Sequence, residues 1–262
     1  MVGLSILRRL SASGLGQHRG RILDLAQPAL ALSTRVCPES RIVIGATKFG
    51  GQPDLPPGSE WPRCGRGPLE FLAQLNLAEF HKTFAGRALP SRGLLSFFMY
   101  HNYPQDEYGD GREEPPSHKG GLRIIHTEDT SKLTRLDPPD DLTEDLGRPR
   151  RPCRITFAEL LDLPEPNEAW AERYGPAFPQ LEAAYDYYSD PLRKANHQLF
   201  GYAHVTVLVE DPVPGPGWQQ LIRFSSDAKL NWGWGDGHHM FWYIKSADLK
   251  TGRFTDTRAI DG

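Results

Sequence analysis

Apolar residues in this chain form short runs of six to eight residues, separated by clusters of glycine and proline. Runs of this length, bounded by turn-forming residues, are typical of β-strands that are buried on one or both faces. The runs that predict strands are Leu69–Leu75, Gly93–Tyr100, Gly121–His126, Tyr202–Val209, Trp218–Phe224 and His238–Ile244. Before the first of these runs, the chain from Phe49 to Arg66 is so rich in glycine and proline that it predicts a long loop.

The middle of the chain carries a different pattern. Apolar residues recur there every three or four positions, which predicts short amphipathic helices. The helical segments are Phe157–Leu163, Asn167–Tyr174 and Phe178–Tyr188, and prolines lie between them and around them. A charged, proline-rich stretch at 137–152 precedes them and resembles a linker.

The two β-rich regions echo each other in order. Phe49-Gly50-Gly51 is matched by Leu199-Phe200-Gly201, and Leu69–Leu75 is matched by Trp218–Phe224, at offsets close to 150 residues. A third match pairs Gly93–Met99 with Gly237–Tyr243 at an offset of 144 residues. Two such halves can each contribute a sheet and bury one face against the other.

The expected fold is therefore α+β and mostly β, with two related halves around one core and a short helical insert between them. Residues 1–26 form an N-terminal helix or flexible arm, and 27–262 form one domain. Within that domain we expect a first half at about 27–136, a helical connector at about 137–195 and a second half at about 196–262.

Composition excludes several classes of protein. The 262 residues carry a formal net charge of −3, which provides no strong field for nucleic acid or for an acidic membrane surface. The three cysteines are widely spaced and fit reduced thiols in the cytoplasm. No cluster has metal-ligand spacing and no cofactor motif occurs, so we expect neither a metal nor a cofactor. The acid-poor, Arg- and Ser-rich start fits either a transit peptide or a short amphipathic helix.

Four motifs of the first half carry a resemblance to a known family. They are K-F-G-G-x-P-x-L-P from Lys48, E-W-P-x-C from Glu60, F-L-A-Q-L-N-L from Phe71 and L-P-x-x-G-x-L-x-F-F from Leu89. This pattern resembles the YwqG-like family of bacterial proteins. The resemblance implies a cytosolic, mostly β protein with a repeated half, and it implies no established reaction. In the second half, Arg223 stands where the family has a glutamine.

Aromatic and ionisable residues concentrate near the C-terminus. Trp232 and Trp234 alternate, so in an extended segment they share a side and could line a cleft. Asp236 with His238 or His239 could form an acid–base pair or a metal site, although adjacent histidines on a strand face opposite sides. The alternative for each is structural, with the aromatic rings in the core and Asp236 in a turn.

The leading hypothesis is a non-catalytic binding or protein-interaction module with a cleft between the halves, for an unknown small ligand or protein partner. The candidate ligand-binding residues are Gly50, Gly51, Trp61, Gln74, Arg223, Trp232, Trp234 and Asp236. Gln74 is expected either to clamp the backbone of the loop from Gly50 to Trp61 or to point into an open cleft. The alternative function is a hydrolase or transferase that uses Asp236 with His238 or His239, and a third possibility is a purely structural or regulatory subunit.

Overall fold

The structure is a computed structural model. It describes residues 19–100, 120–142, 150–164, 197–204, 213–234 and 237–262, together with the single positions 16, 175, 179 and 182.

Fourteen strands lie in the described part of the chain, and most of them belong to one sheet. In the first half they are β1 (Gln27–Val36), β2 (Lys48–Phe49), β3 (Asp54–Leu55), β4 (Arg63–Cys64), β5 (Gly67–Pro68), β6 (Glu70–Asn76), β7 (Leu94–Met99), β8 (Leu122–Thr127) and β9 (Thr134–Arg135). They continue with β10 (Cys153–Asp162), β11 (His197–Phe200), β12 (Trp218–Ser225), β13 (His239–Lys245) and β14 (Thr257–Asp261). The protein is thus mostly β, as the sequence predicts.

The described helices are short. They are α1 (Arg19–Leu25), α2 (Leu77–Phe80) and α3 (Ser246–Thr251), with 3-10 turns at Glu39–Arg41 and Ala85–Ala88. Asn76 caps α2, because its side chain accepts a hydrogen bond from the backbone N–H of Ala78 at 3.1 Å. No helix among the described residues has both the length and the apolar character needed to cross a lipid bilayer.

Ten strands form one nearly closed sheet in the order β14-β13-β12-β11-β1-β10-β2-β6-β7-β8. The long central pair is β1 with β10, which run antiparallel over ten residue pairs. β1 also pairs with β11, and β10 also pairs with β2. Four strands lie on each side of this central pair, and the first-half strand β1 joins the second-half strands directly.

The sheet curves around one hydrophobic core. On β7, the side chains of Leu95, Phe97 and Met99 point into it, and on β12 and β13 so do Phe224 and Trp242. These rings meet edge to face, with Phe97 5.5 Å from Trp242 and 5.8 Å from Phe224. Edge-to-face contact between rings from both halves is a favourable arrangement and fixes how the two sides of the sheet approach.

The other face of the first-half strands is covered by the long glycine- and proline-rich loop. A second apolar cluster there contains Leu55, Leu69, Phe71 and Phe98. This double coverage explains why β6 and β7 carry apolar residues on both faces, since neither face of these strands meets water.

The strand predictions over Leu69–Leu75, Gly93–Tyr100, Gly121–His126, Trp218–Phe224 and His238–Ile244 are confirmed within one or two residues at each end. The strand predicted over Tyr202–Val209 is wrong for those of its residues that the structure describes. The described residues 202–204 lie outside any strand, and β11 ends at Phe200. Residues 205–209 lie outside the described residues.

The helix predicted over Phe157–Leu163 is also wrong, because Cys153–Asp162 is the ten-residue strand β10. Pairing with β1 along its whole length, and with β2 at its start, overrides a local pattern of apolar residues at three- and four-residue spacing. The other two predicted helices lie outside the described residues, except that Pro179 and Glu182 are helical.

Candidate functional site

Gln74 lies on the outer face of β6, beneath the long loop, and is fully buried. Its Oε1 accepts a hydrogen bond from the backbone N–H of Asp54 at 2.9 Å. Its Nε2 donates to the carbonyl oxygen of Ala46 at 2.8 Å and to Oδ2 of Asp54 at 2.7 Å. Of the two arrangements expected from the sequence, these contacts match the clamp.

Asp54 is at the centre of a buried charged cluster next to this clamp. Lys48, which has no exposed surface, donates to Glu39 at 2.7 Å and lies 3.5 Å from Asp54. Arg135 donates to Asp54 at 2.9 Å and to the carbonyl oxygens of Glu39 and Ile42. Every cation here has a carboxylate partner, as buried charges require.

The pKa values in this cluster follow from burial and pairing. Burial lowers the pKa of Lys48 from its usual value, although Glu39 and Asp54 oppose the shift. Burial would raise the pKa of Asp54, but the hydrogen bond from Arg135 and the charge of Lys48 together hold that pKa below its usual value. The Asp54 carboxylate is therefore ionised at neutral pH, and its contacts with Gly45, Gln74 and Arg135 fix the loop to the sheet.

Gly50 and Gly51 let the chain turn tightly after β2. Both have positive φ, 63° and 71°, where a side chain is strained. A Cβ on Gly51 would overlap the Glu39 carboxylate and approach Pro152 to 2.9 Å. Both glycines are therefore required for the conformation of the backbone at this turn.

Trp61 anchors the far end of the same loop. Its indole Nε1 donates to the carbonyl oxygen of Leu69 at 2.8 Å, and its ring meets Phe98 edge to face at 5.8 Å. The four first-half candidates thus come together as one structural unit, the covering loop and its clamp.

Trp232 and Trp234 lie in the core, with 3% and 5% of their surfaces exposed. Trp232 stacks on Phe49 from the first half with ring centroids 5.8 Å apart, and it meets His197 edge to face at 5.7 Å. Both tryptophans thus pack in the core where the two halves meet, which is the structural role considered as the alternative to lining a cleft. The indole Nε1 atoms of both rings have no hydrogen-bond partner among the described residues.

The outer face of β11–β13 carries a row of polar side chains, all buried except the half-buried His239, which we call the second-half polar face. Cross-strand pairing brings Gln198 opposite Arg223, Ser225 opposite His239 and Gln220 opposite Tyr243. Paired residues of an antiparallel ladder point to the same side of the sheet. The face comprises Gln198, Gln220, Arg223, Ser225, His239 and Tyr243.

Asp162, at the end of β10, organises one side of this face. Its carboxylate accepts from Gln198 Nε2 and from the backbone N–H of Tyr202, both at 2.7 Å, and lies 2.8 Å from His204 Nε2. Gln198 and Gln220 both donate to the carbonyl oxygen of Phe200, at 2.8 and 2.7 Å. The two amide groups are thereby held side by side.

Several polar atoms of the face are buried without a partner among the described residues. They are Oε1 of Gln198, Oε1 of Gln220, Oγ of Ser225 and Nδ1 of His239. The corresponding buried face of the first half leaves Ser96 Oγ in this state, while Gln74 there is fully satisfied. A buried polar atom without a partner costs about 1–3 kcal/mol, so four of them on one face require an explanation.

The electrostatics of the face favour neutral histidine. Burial, together with the positive charge of Arg223, lowers the pKa of His239 to about 4. Burial also lowers the pKa of His197, although Asp227 opposes the shift from 3.4 Å. At neutral pH Arg223 consequently carries the positive charge on the second-half polar face, and His239 is neutral.

The two candidate histidines, His238 and His239, have different surroundings. His239 pairs with Ser225 on the outer face, whereas His238 precedes the strand and its Nδ1 lies 3.7 Å from Asp261. Asp236 lies outside the described residues. Among the described residues, no three His, Cys, Asp or Glu side chains are grouped as a metal ion would need.

Sequence reasoning identified Arg223 but missed its neighbours. Gln198, Gln220 and Ser225 lie in strands that are otherwise apolar, and a polar residue recurring on a doubly buried strand is a signal that could have found them. Asp162 carried no such signal, because the helical pattern predicted for Phe157–Leu163 concealed the strand that places it.

Comparison with curated proteins gives no match for this chain. A family model matches residues 47–260, and its description is "Domain of unknown function (DUF1963)". That match begins just before β2 and ends within β14, so it covers Gln74, the charged-cluster residues Lys48, Asp54 and Arg135, and the second-half polar face. The chain belongs to this DUF1963 family of domains of unknown function.

Proposed function

We propose that the protein is a non-catalytic binding module that holds a small, anionic, hydrogen-bonding ligand on the second-half polar face. The observation that carries the proposal is the set of four buried polar atoms without partners on that face. A ligand that supplies those partners would remove the cost of leaving them unsatisfied.

The chemistry of the face defines the ligand. Arg223 offers a guanidinium group, which matches carboxylate and phosphate geometry. The free amide oxygens of Gln198 and Gln220 accept hydrogen bonds, so the ligand would also carry N–H or O–H donors. An organic acid with hydroxyl or amino groups combines both properties.

The two halves, in our proposal, are copies of one ancestral unit. Gly51 and Gly201, 150 positions apart, both have positive φ, 71° and 79°. The residue after each donates its backbone N–H to a carboxylate, Gln52 to the half-buried Glu39 and Tyr202 to the buried Asp162. The resemblance to the YwqG-like family supports the same idea.

The β-bulges support the repeat as well. One lies between Phe71 and Ala73 and the other between Gln220 and Ile222, at equivalent places on β6 and β12. In this correspondence, Arg223 takes the position of Gln74. The second half has thus exchanged a satisfied clamp for a cation, which fits the emergence of a binding site there.

We also propose that residues 27–262 act as one domain in a reducing compartment such as the cytoplasm. The first-half strand β1 pairs with the second-half strand β11, and β10 pairs with both β1 and β2, which leaves no boundary between separate domains. The three cysteines are free thiols, and Cys153 is buried.

Hydrolase or transferase chemistry at Asp236 with His238 or His239 is the weaker proposal. A general base works best when its pKa lies near the working pH. The pKa of His239 is lowered to about 4, so its imidazole would be a poor base at neutral pH.

The binding proposal is tested by native mass spectrometry of the purified protein for a retained ligand, followed by calorimetry with citrate, glutamate and galacturonate. Ser225→Ala removes a hydroxyl group without a partner, so we expect unchanged stability but weaker binding. Gln219→Leu is the matched control. Gln219 pairs with the core residue Ile244 and therefore points to the side of the sheet opposite the second-half polar face.

Retained ligand or saturable binding that Ser225→Ala weakens and Gln219→Leu preserves would support the proposal. A protein that carries no ligand and binds none of the three acids would overturn it. Loss of stability in Ser225→Ala would show that the hydroxyl group is structural.

A further inference from the structure

A groove lies beside the seam where the edge strands β8 and β14 of the ten-stranded sheet approach, and it is lined by the segment before β7, the end of β8 and α3. These strands approach each other, and the ring of His126 on β8 meets Phe254 edge to face at 5.4 Å. The groove has a volume of about 520 Å³. We call it the seam groove, and its lining is Arg87–Arg92, His126, Glu128 and Leu249–Gly252.

Both halves contribute cations to the seam groove. Arg87 and Arg92 come from the segment before β7, and Lys250 comes from α3 in the second half. All three side chains are exposed, and none forms an ion pair within the described residues. The anions nearby are Glu128 in the lining and Asp129, whose pKa is lowered by hydrogen bonds from Ser131 and, less strongly, by Arg92.

The floor of the groove is apolar and is held together across the seam. Leu89 and Leu249 are 4% and 3% exposed, so they belong to the core beneath. Gly252 ends α3 in the left-handed conformation at φ 69°, and a Cβ there would lie 3.4 Å from Pro90 Cγ. The close approach of these two residues joins the halves under the groove.

We infer that the seam groove binds a small phosphorylated organic molecule. Two guanidinium groups and an ammonium group suit the several oxygens and double charge of a phosphate group. The apolar floor suits the organic part of the ligand, and Glu128 can accept hydrogen bonds from sugar hydroxyl groups. The volume lies in the range of small-molecule sites, roughly 300–1,000 Å³.

This site is separate from the second-half polar face, which lies on the outer side of β11–β13. Substitutions in one do not touch the other, so the two proposals fail or succeed independently.

The test uses calorimetry on the full chain with ADP, glucose 6-phosphate and inorganic pyrophosphate, and with adenosine as the uncharged probe. We expect at least one of the organic phosphates to bind and adenosine to bind far more weakly. Arg92→Ala and Lys250→Ala should each weaken binding about tenfold, because each removes a charge-assisted contact. Added salt should also weaken it.

Two further variants separate the groove from general charge. Ser91→Trp fills the groove without changing charge and should abolish binding. Arg123→Ala removes an exposed cation at the other end of β8 and should leave the affinity unchanged. The inference is overturned if neither ADP nor glucose 6-phosphate binds, or if Arg123→Ala weakens binding as much as Arg92→Ala. Urea midpoints equal to that of the wild type would confirm that each variant is folded.

Discussion

Replacing Gln74 by leucine tests the clamp that holds the covering loop to β6. The side chain makes three hydrogen bonds, and its removal leaves the Asp54 N–H and the Ala46 carbonyl without partners in a buried site. It also takes a donor from the buried Asp54 carboxylate. Each buried orphan costs about 1–3 kcal/mol, so with partial relaxation we expect a loss of about 3–5 kcal/mol in the free energy of unfolding.

Equilibrium unfolding in urea, followed by tryptophan fluorescence, measures this loss as a lower midpoint. Gln52→Leu is the matched control. Gln52 lies in the same loop, but its side chain bonds to the exposed Asp137, so its loss should cost less than about 0.5 kcal/mol. A cost below about 1 kcal/mol for Gln74→Leu would refute the reasoning, because the orphaned groups would then have to be solvated.

Gln74→Glu sharpens the same test through its pH dependence. It places a second carboxyl group against Asp54 in a buried site, which raises the pKa of the new group in the folded state above its unfolded value. A group whose pKa is raised in the folded state stabilises the folded protein at low pH, and this stabilisation is lost as the pH rises. The penalty relative to the wild type should therefore shrink on acidification.

Two further predictions concern the turn after β2 and the histidines. Gly51→Ala should destabilise the protein by more than Gly58→Ala in the same urea assay, because both positions have positive φ but only the new Cβ at Gly51 overlaps neighbouring atoms; equal costs would contradict the packing argument. The folded-state pKa of His239 is about 4, below its ordinary 6.5, so its contribution to stability is present above about pH 6.5 and is lost as the pH falls towards 4. The loss reaches about 3 kcal/mol at most, and His239→Gln should remove that part of the pH dependence. An unchanged pH profile in the variant would show that His239 titrates normally in the folded protein.

Most of the strands that follow from sequence are buried on both faces. β6, β7, β12 and β13 are rich in apolar residues, and local pattern suffices to find them. β10 could not be found in this way, because its residues are half exposed and its extended conformation depends on pairing with β1, more than 100 residues away in sequence. Pairing over that distance leaves no local signature.

The residues of the candidate site differ in the same way: some follow from local sequence pattern, and others depend on long-range strand pairing. Gln74 stands out in a run of apolar residues, and its partners lie in a loop that the sequence also marks, so the clamp could be anticipated. The second-half polar face depends on how β11, β12 and β13 align, and on Asp162 reaching it from the end of β10. Tryptophans near a glycine-rich turn suggested an open cleft, yet Trp232 is needed in the core against Phe49.

The crossed pairing of β1 with β11 and of β10 with β2 also constrains the order of folding. β1 ends at Val36, whereas its partners β10 and β11 begin at Cys153 and His197. Contacts this distant in sequence make folding slow, because a long loop must close before they form. During synthesis at about 5–20 residues per second, β1 waits roughly 6–30 s for its partners. An apolar strand without partners is a site for aggregation. The central strand of the finished sheet is consequently the element most in need of protection while the chain is being made.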